Sequence, residues 1–249
     1  MGSDEFLIRR KNMKTYAVAD MHGYPLRKFE ALLEKAGFTD EDYLYVLGDV
    51  VDRNGDGGVA MLRRFMEMEN VEFILGNHEG MLLLCAFLFD GDVEPDPSEF
   101  TAMQYRAYEH YKRNGGGVTL ENLRKLRETE PEAIADIFDF IREAPTYAAV
   151  SCGGRDFILT HAGLGNFSPE KKLSDYQLDE LIWTRPTIET EYFDDIITVF
   201  GHTPTFYSGL EHEGKILRTR TWIDIDTGPS RRLPPALLRL DDLEVFYGE

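Results

Sequence analysis

Residues 48–54 read Gly48-Asp49-Val50-Val51-Asp52-Arg53-Asn54, directly after the apolar run at 43–47 and directly before Gly55, Gly57 and Gly58. Five β-prone residues in a row predict a buried strand, and the glycines mark the loop into which it empties. Two carboxylates and an arginine at the mouth of such a strand are costly to bury unless a cation and an anion meet them there. A metal ion and a phosphate satisfy both demands.

The same unit recurs on either side of this stretch. Residues 14–19 form a short β-prone run ending in Asp20-Met21-His22-Gly23. Pro25 then suits a first helical turn, and Leu26, Phe29, Leu32, Leu33 and Ala36 keep helical spacing as far as Gly37. Beyond the opening stretch, Val59, Leu62, Phe65 and Met66 share one face of a helix closing near Asn70. A third strand at 71–75 runs into Gly76-Asn77-His78-Glu79-Gly80 and an apolar helix over 81–89. Three β-loop-α units predict an α/β fold with a parallel sheet and right-handed crossovers. Each polar cluster then falls at a strand's carboxyl end, where open α/β sheets bind their ligands.

Residues 90–145 change character and read as a helical insertion. An acidic stretch with Pro95 and Pro97 leads to Tyr105, Tyr108 and Tyr111, an aromatic stripe read as packing, which Asn114-Gly115-Gly116-Gly117 interrupts. Thr129 with Glu132 predicts a capping box before the apolar face of Ile134, Ile137, Phe138 and Ile141. After Pro145 the periodicity is that of strands. They fall at 147–151, at 156–160 ending in His161-Ala162-Gly163, and at 196–200 ending in Gly201-His202, with short strands at 215–218, 222–225, 236–240 and 244–247. Gly153-Gly154 reads as a hairpin turn. Residues 1–12 match no periodic pattern and read as a leader or tag, leaving one domain over 13–249.

Composition narrows the function classes. Hydrophobic content of 43% with 12% aromatic is that of a globular chain, and the longest apolar run, 81–89, is too short to span a bilayer. A formal net charge of −18 argues against partners such as nucleic acid or an anionic membrane. Cys85 and Cys152 lie far apart and read as free thiols in a reducing, cytoplasmic setting.

The strand ends collect Asp20 and His22; Asp49, Asp52 and Arg53; Asn77 and His78; His161; and His202. One buried histidine is commonplace, but a whole series at apolar strand ends would each need its own polar partner. Mixed carboxylate, imidazole and amide donors suit divalent ions of intermediate hardness, Mn²⁺, Fe²⁺ or Zn²⁺. The donors outnumber what one ion can use, so two ions about 3.5–4 Å apart sharing a carboxylate are expected.

Asp20-Met21-His22-Gly23, Gly48-Asp49-Val50-Val51-Asp52-Arg53, Gly76-Asn77-His78-Glu79, His161-Ala162-Gly163 and Gly201-His202, in this order, resemble the motifs of the phosphoprotein phosphatases. The likeness is to the metal-dependent serine/threonine type within the calcineurin-like metallophosphoesterases, nearest the compact bacterial and phage branch, and spans about 13–228. The resemblance implies a central β-sandwich of mixed sheets flanked by helices. It also implies two divalent ions, with Mn²⁺ the first choice. Asp20 and His22 would hold the first ion, Asp49 would bridge, and Asn77, His161 and His202 would complete the second. Arg53, Arg185 and Asn77 would contact phosphate, and His78, oriented by Asp52, would be the general acid. This chain has Asp-Arg-Asn where the family commonly has Asp-Arg-Gly, and Asn54 is expected to take up the left-handed turn. Asp226, in Asp224-Ile225-Asp226-Thr227-Gly228, reads as structural.

The function expected is hydrolysis of phosphoserine and phosphothreonine in phosphorylated proteins, with tolerance of phosphotyrosine and small phosphoesters. The alternative is a bis(5'-nucleosyl)-tetraphosphatase that cleaves dinucleoside polyphosphates. Glu79 favours the first reading, since the nucleotide branch more often carries aspartate there. A metal-binding scaffold without activity is disfavoured by retention of every donor type with Arg53, Asp52 and His78.

Overall fold

The structure, a computed structural model, describes residues 13–91 and 95–249. The leader read at 1–12 lies outside the described residues. Strand β1 (Thr15–Val18) leads to helix α1 (Leu26–Ala36), β2 (Tyr43–Val46) to α2 (Val59–Met66), and β3 (Val71–Phe73) to α3 (Asn77–Leu83). Helices α4 (Ala102–Tyr111), α5 (Gly117–Thr129) and α6 (Pro131–Glu143) follow. The remainder alternates β4 (Tyr147–Cys152), β5 (Arg155–Thr160), α7 (Leu178–Ile182), β6 (Ile196–Phe200), β7 (Leu217–Arg218), β8 (Trp222–Asp224), β9 (Ala236–Arg239) and β10 (Val245–Tyr247).

These strands form two mixed five-stranded sheets, ordered β10-β9-β1-β2-β3 and β4-β5-β6-β8-β7. β1, β2 and β3 are parallel, as the repeated β-loop-α units require, and β9 and β10 close that sheet antiparallel. In the second sheet β5, β6 and β8 are parallel, with β4 and β7 antiparallel at the edges.

The layering follows from strand alternation. In β1, Tyr16 and Val18 pack with the helices α1 to α6, while Ala17 points the other way into a core shared by both sheets. In β5, Phe157 and Leu159 fill that shared core, and Ile158 faces a third cluster with Trp222, Tyr192 and Leu181. The result is a β-sandwich with helices on its outer faces, and the carboxyl ends of both parallel sets open towards one rim. Among the described residues no helix is long and apolar enough to cross a membrane.

Three local expectations are corrected. The helix placed at 81–89 begins at Asn77 and gives way to a 3₁₀ turn at Ala86–Phe89, so its polar first turn carries Asn77 and His78. The Thr129 capping box does not form: α5 runs through Thr129, whose hydroxyl bonds back to the Leu126 carbonyl, and α6 starts on Pro131. The tyrosine stripe is not one packed face. Tyr105 is exposed, whereas Tyr111 is fully buried and has a polar partner described below.

Candidate active site

The loops leaving β1 and β2 are stitched by main-chain bonds, Asp20 N to Gly48 O at 3.1 Å and His22 N to Asp49 O at 2.9 Å. Gly48 holds φ +78, and a Cβ there would stand 2.5 Å from Gly76 Cα, so the loops after β2 and β3 meet only because this side chain is absent. Positive φ at residues other than glycine is uncommon and strained. Among the described residues it occurs at Asp20, His22, Asp49, Asp52, Arg53 and His202, with only three instances elsewhere. The strain is concentrated where the chemistry is.

Asn54 is not one of these positions, which corrects the expected left-handed turn: Asp52 and Arg53 take the positive φ instead. The Asn54 side chain has a different use. Its Nδ2 donates to the carbonyls of His22 and Pro229, both at 3.1 Å, tying the β1 loop to the C-terminal segment. Glu79 lies beneath the β2 loop. It is fully buried, with Oε2 accepting from Asp49 N at 2.8 Å and Oε1 from Val50 N at 2.8 Å and Val51 N at 3.1 Å. It shapes the β2 loop from behind and is not among the residues lining the cleft. Burial, and then Asp49, push its carboxyl up to about 7.

Two donor groups share Asp49. In one, His161 Nε2 lies 2.8 Å from Asn77 Oδ1, 3.2 Å from His202 Nδ1 and 3.4 Å from Asp49 Oδ1, and His202 Nδ1 lies 2.8 Å from Asn77 Oδ1. His161 Nδ1 faces the Leu47 carbonyl at 2.7 Å. A carbonyl only accepts, so the proton sits on Nδ1 and the Nε2 lone pair points at oxygens that also have only lone pairs to offer. In the other group, His22 gives Nδ1–H to the Val51 carbonyl at 3.0 Å and turns Nε2 towards Asp49 Oδ2 at 3.6 Å. A ring N–H given to a backbone carbonyl is the usual support of a metal-ligating histidine.

A buried cluster of lone pairs turned towards one another is an arrangement that a cation satisfies, and these residues fit that group. His22, Asp49 and His78, and likewise Asp49, His161 and His202, have donor atoms within 4.8 Å of one another. Asp20 is fully buried. Its Oδ2 accepts from His202 N at 2.8 Å, while Oδ1 has no hydrogen-bond partner among the described residues. Burial lowers His22 to about 3 and also lowers His161 and His202, so all three stay neutral, the form that binds metal. Burial works to raise Asp49, yet its carboxyl stays below the ordinary range, because any proton taken up by the imidazoles around it, His161 first, favours the carboxylate.

His78 stands apart from the other imidazoles. Nδ1 is 2.6 Å from Asp52 Oδ2, and Nε2 accepts from Arg53 Nη2 at 3.0 Å, so its lone pair is already used. Burial opposes protonation of His78, but Asp49 and the bonded Asp52 together raise it above its ordinary value. Asp52 Oδ1 accepts from Tyr111 Oη at 2.5 Å and Thr119 Oγ1 at 2.6 Å. The helical insertion therefore reaches into the site, and it also receives the Arg53 N–H on Gly115 O at 3.2 Å. Sequence reading missed Tyr111 and Thr119; the one signal was that Tyr111 ends the stripe, next to the glycines that turn the chain inward.

Arg185 donates from Nη1 to Thr203 Oγ1 at 2.9 Å. His22, Asp49, Arg53, Asn77, His78, Arg185 and His202 line a single cleft of about 500 Å³, with Asp20, Asp52 and His161 buried behind it. Asp226 is both structural and part of the wall: Oδ1 accepts from Gly228 N at 2.9 Å, and the residue lines the cleft. Burial pushes its carboxyl up to about 7.

Comparison with known proteins agrees with this arrangement. The family model of the calcineurin-like phosphoesterases matches residues 13–229. A symmetrical bis(5'-nucleosyl)-tetraphosphatase of Acidovorax sp. (strain JS42) is 27% identical over 200 residues, 79% of this chain but 59% of that protein. The chain thus spans about 59% of the length of that curated relative. The same-named protein of Chromohalobacter salexigens is 40% identical over 77 residues, 30% of this chain and 28% of that one. Among solved structures, a Saccharomyces cerevisiae serine/threonine phosphatase superposes with TM-score 0.60 at 15% identity, covering 95% of this chain and 79% of that one. A candidate diadenosine tetraphosphatase superposes with TM-score 0.59 at 17% identity, covering 94% and 92%. At these identities the superpositions speak for the fold. The family model spans nearly all of the described chain and every strand end just described, and the chain accordingly belongs to the calcineurin-like metallophosphoesterase family.

Proposed function

We propose that the chain hydrolyses dinucleoside polyphosphates, as a symmetrical bis(5'-nucleosyl)-tetraphosphatase. The observation that carries this reading is the charge lining the cleft. In a chain of net charge −18, Arg53, Arg185 and Arg231 line it, and none has a carboxylate partner among the described residues. A monoester dianion between two metals and two guanidiniums leaves the third unused, whereas a chain of phosphates occupies all three. Two exposed aromatic residues, Trp183 and Tyr207, also line the cleft, the second in contact with Arg231. The named relatives point the same way.

Asp20, His22 and Asp49 would hold one divalent ion, and Asp49, Asn77, His161 and His202 a second, manganese being the first choice. When bound, such ions polarise phosphoryl oxygens and lower the pKa of water they hold towards about 7. Arg53 and Arg185 grip non-bridging oxygens. Where Arg53 turns its Nη2 N–H to phosphate, His78 Nε2 is freed. His78, its ring fixed by Asp52, then holds a proton at Nε2 for the leaving oxygen.

Hydrolysis of phosphoserine and phosphothreonine in proteins is the second reading. Its support is the likeness to the yeast serine/threonine phosphatase, which concerns fold, and Glu79, which is buried behind the β2 loop and does not face the substrate. Side-by-side turnover of diadenosine tetraphosphate and a phosphothreonine peptide with Mn²⁺ tests the ranking. Faster nucleotide cleavage is expected, and faster peptide dephosphorylation reverses it.

A further inference from the structure

Beside the metal-ligand cluster the cleft has a second part that the hydrolytic chemistry leaves unused, built from the two short turns that follow His202 and Asp226. The first, Thr205–Ser208, presents Phe206 and Tyr207; the second, Pro229–Arg231, presents Arg231. Phe206 is buried at 8% exposure, whereas Tyr207 is 65% exposed although both line the cleft. Their ring centroids are 4.7 Å apart with planes tilted by 40°. The Arg231 guanidinium lies over Phe206 at 4.4 Å and over Tyr207 at 5.7 Å, and Nη2 donates to Tyr207 Oη at 3.2 Å.

This shelf is held in place before any ligand arrives. Thr205 is fully buried, with its N–H on Asp226 O at 2.9 Å and its hydroxyl 3.0 Å from His212 O and 2.8 Å from Lys215 O. Arg231 N bonds Gly228 O at 2.9 Å. The Arg231 guanidinium, held over the rings and bonded once to Tyr207 Oη, keeps further N–H groups for a ligand, and among the described residues no carboxylate meets them. An exposed aromatic face next to such a guanidinium accepts a planar base and an anion together.

We infer that Tyr207, supported by Phe206, stacks a nucleobase and that Arg231 binds the phosphate attached to that nucleoside, making this end of the cleft a subsite for a nucleoside diphosphate unit. The inference rests on the proposed nucleotide reading and assigns it a recognition element outside the metal-ligand residues.

Isothermal titration of the full chain with Mn²⁺ tests it, with ADP and pyrophosphate as probes, since the two differ by the adenosine. Wild type should bind ADP about tenfold more tightly than pyrophosphate, a stacking contribution of the usual size. Tyr207→Ala should erase that advantage, Tyr207→Phe should keep it, and Arg231→Ala should weaken both ligands. Equal affinities in wild type, or an ADP advantage that survives Tyr207→Ala, overturns the subsite. The wild-type measurement decides even if a variant fails to fold. Turnover of diadenosine tetraphosphate judges the functional reading separately. Turnover without an ADP advantage removes the subsite alone, and an ADP advantage without turnover keeps the subsite and removes the reading.

Discussion

Tyr111 Oη donates to Asp52 Oδ1 at 2.5 Å across 59 positions of chain, so the helical insertion supplies a direct partner to the carboxylate that holds His78. Both residues are fully buried. Burial, and then Asp52, raise Tyr111 well above its ordinary value, which keeps the hydroxyl protonated and donating. Tyr111→Phe leaves Oδ1 with Thr119 alone and should cost about 1–3 kcal/mol of stability. The looser Asp52 should lower kcat about tenfold with KM within about twofold. Thr119→Val should cost more, because Thr119 Oγ1 also receives the Asp52 N–H at 3.0 Å. Chemical denaturation and steady-state kinetics check both, and unchanged values for both variants would remove the insertion from the site.

Glu79→Gln separates a structural role from a substrate-selecting one. The amide replaces one acceptor with a donor opposite main-chain N–H groups, at a cost of about 1–3 kcal/mol. Thermal melting should show the loss. The ratio of nucleotide to phosphopeptide turnover should stay put, and a shift in that ratio would restore Glu79 as a specificity residue.

Metal removal should act on stability as well as on turnover. A cation bound among Asn77, His161 and His202, whose donor atoms lie 2.8–3.2 Å apart, would tie together loops from both sheets. A ligand that binds only the folded state stabilises it by mass action. Chelator-treated protein should therefore melt several degrees lower and lose phosphoester hydrolysis, and Mn²⁺ should restore both. A chelator-insensitive melting curve would count against the assigned donors.

His78→Asn should discriminate between leaving groups. A general acid matters most when the departing oxygen is basic. The variant should lose far more activity on phenyl phosphate than on p-nitrophenyl phosphate, measured as kcat/KM. Equal losses on the two esters would assign His78 to the metal group with His22 and Asp49.

The two thiols should be slow to react. Burial raises Cys85 to about 12 and Cys152 to about 11, and both are free. Because both values are raised, the thiolate that reacts is scarce below them and grows as pH climbs. Alkylation of native protein at pH 8 should lag far behind a free cysteine peptide and accelerate steeply towards pH 10, with Cys152, half-buried, ahead of Cys85. Rapid labelling of Cys85 in folded protein would contradict its burial.

The candidate metal-ligand residues and their order along the chain are legible in the sequence by itself. Asp20, His22, Asp49, Asn77, His161 and His202 each stand within a few positions of an apolar strand, and parallel strands bring their carboxyl ends to one rim within each sheet. The sandwich layering is legible in the same way, because strand alternation sends Tyr16 and Val18 to one face and Ala17 to the other. Which way a loop side chain points is a different matter, set by whatever packs against the loop from elsewhere. Glu79 turns inward beneath the Asp49–Val51 backbone, Asn54 bridges two distant carbonyls, and Asp52 is pinned by Tyr111 and Thr119. Those partners lie from about 30 to 175 positions away, so local pattern carries no trace of them. Only the tertiary structure decided that Glu79 is a brace, and that Arg231 and Tyr207 join the cleft, because each depends on contacts between segments that no periodicity links.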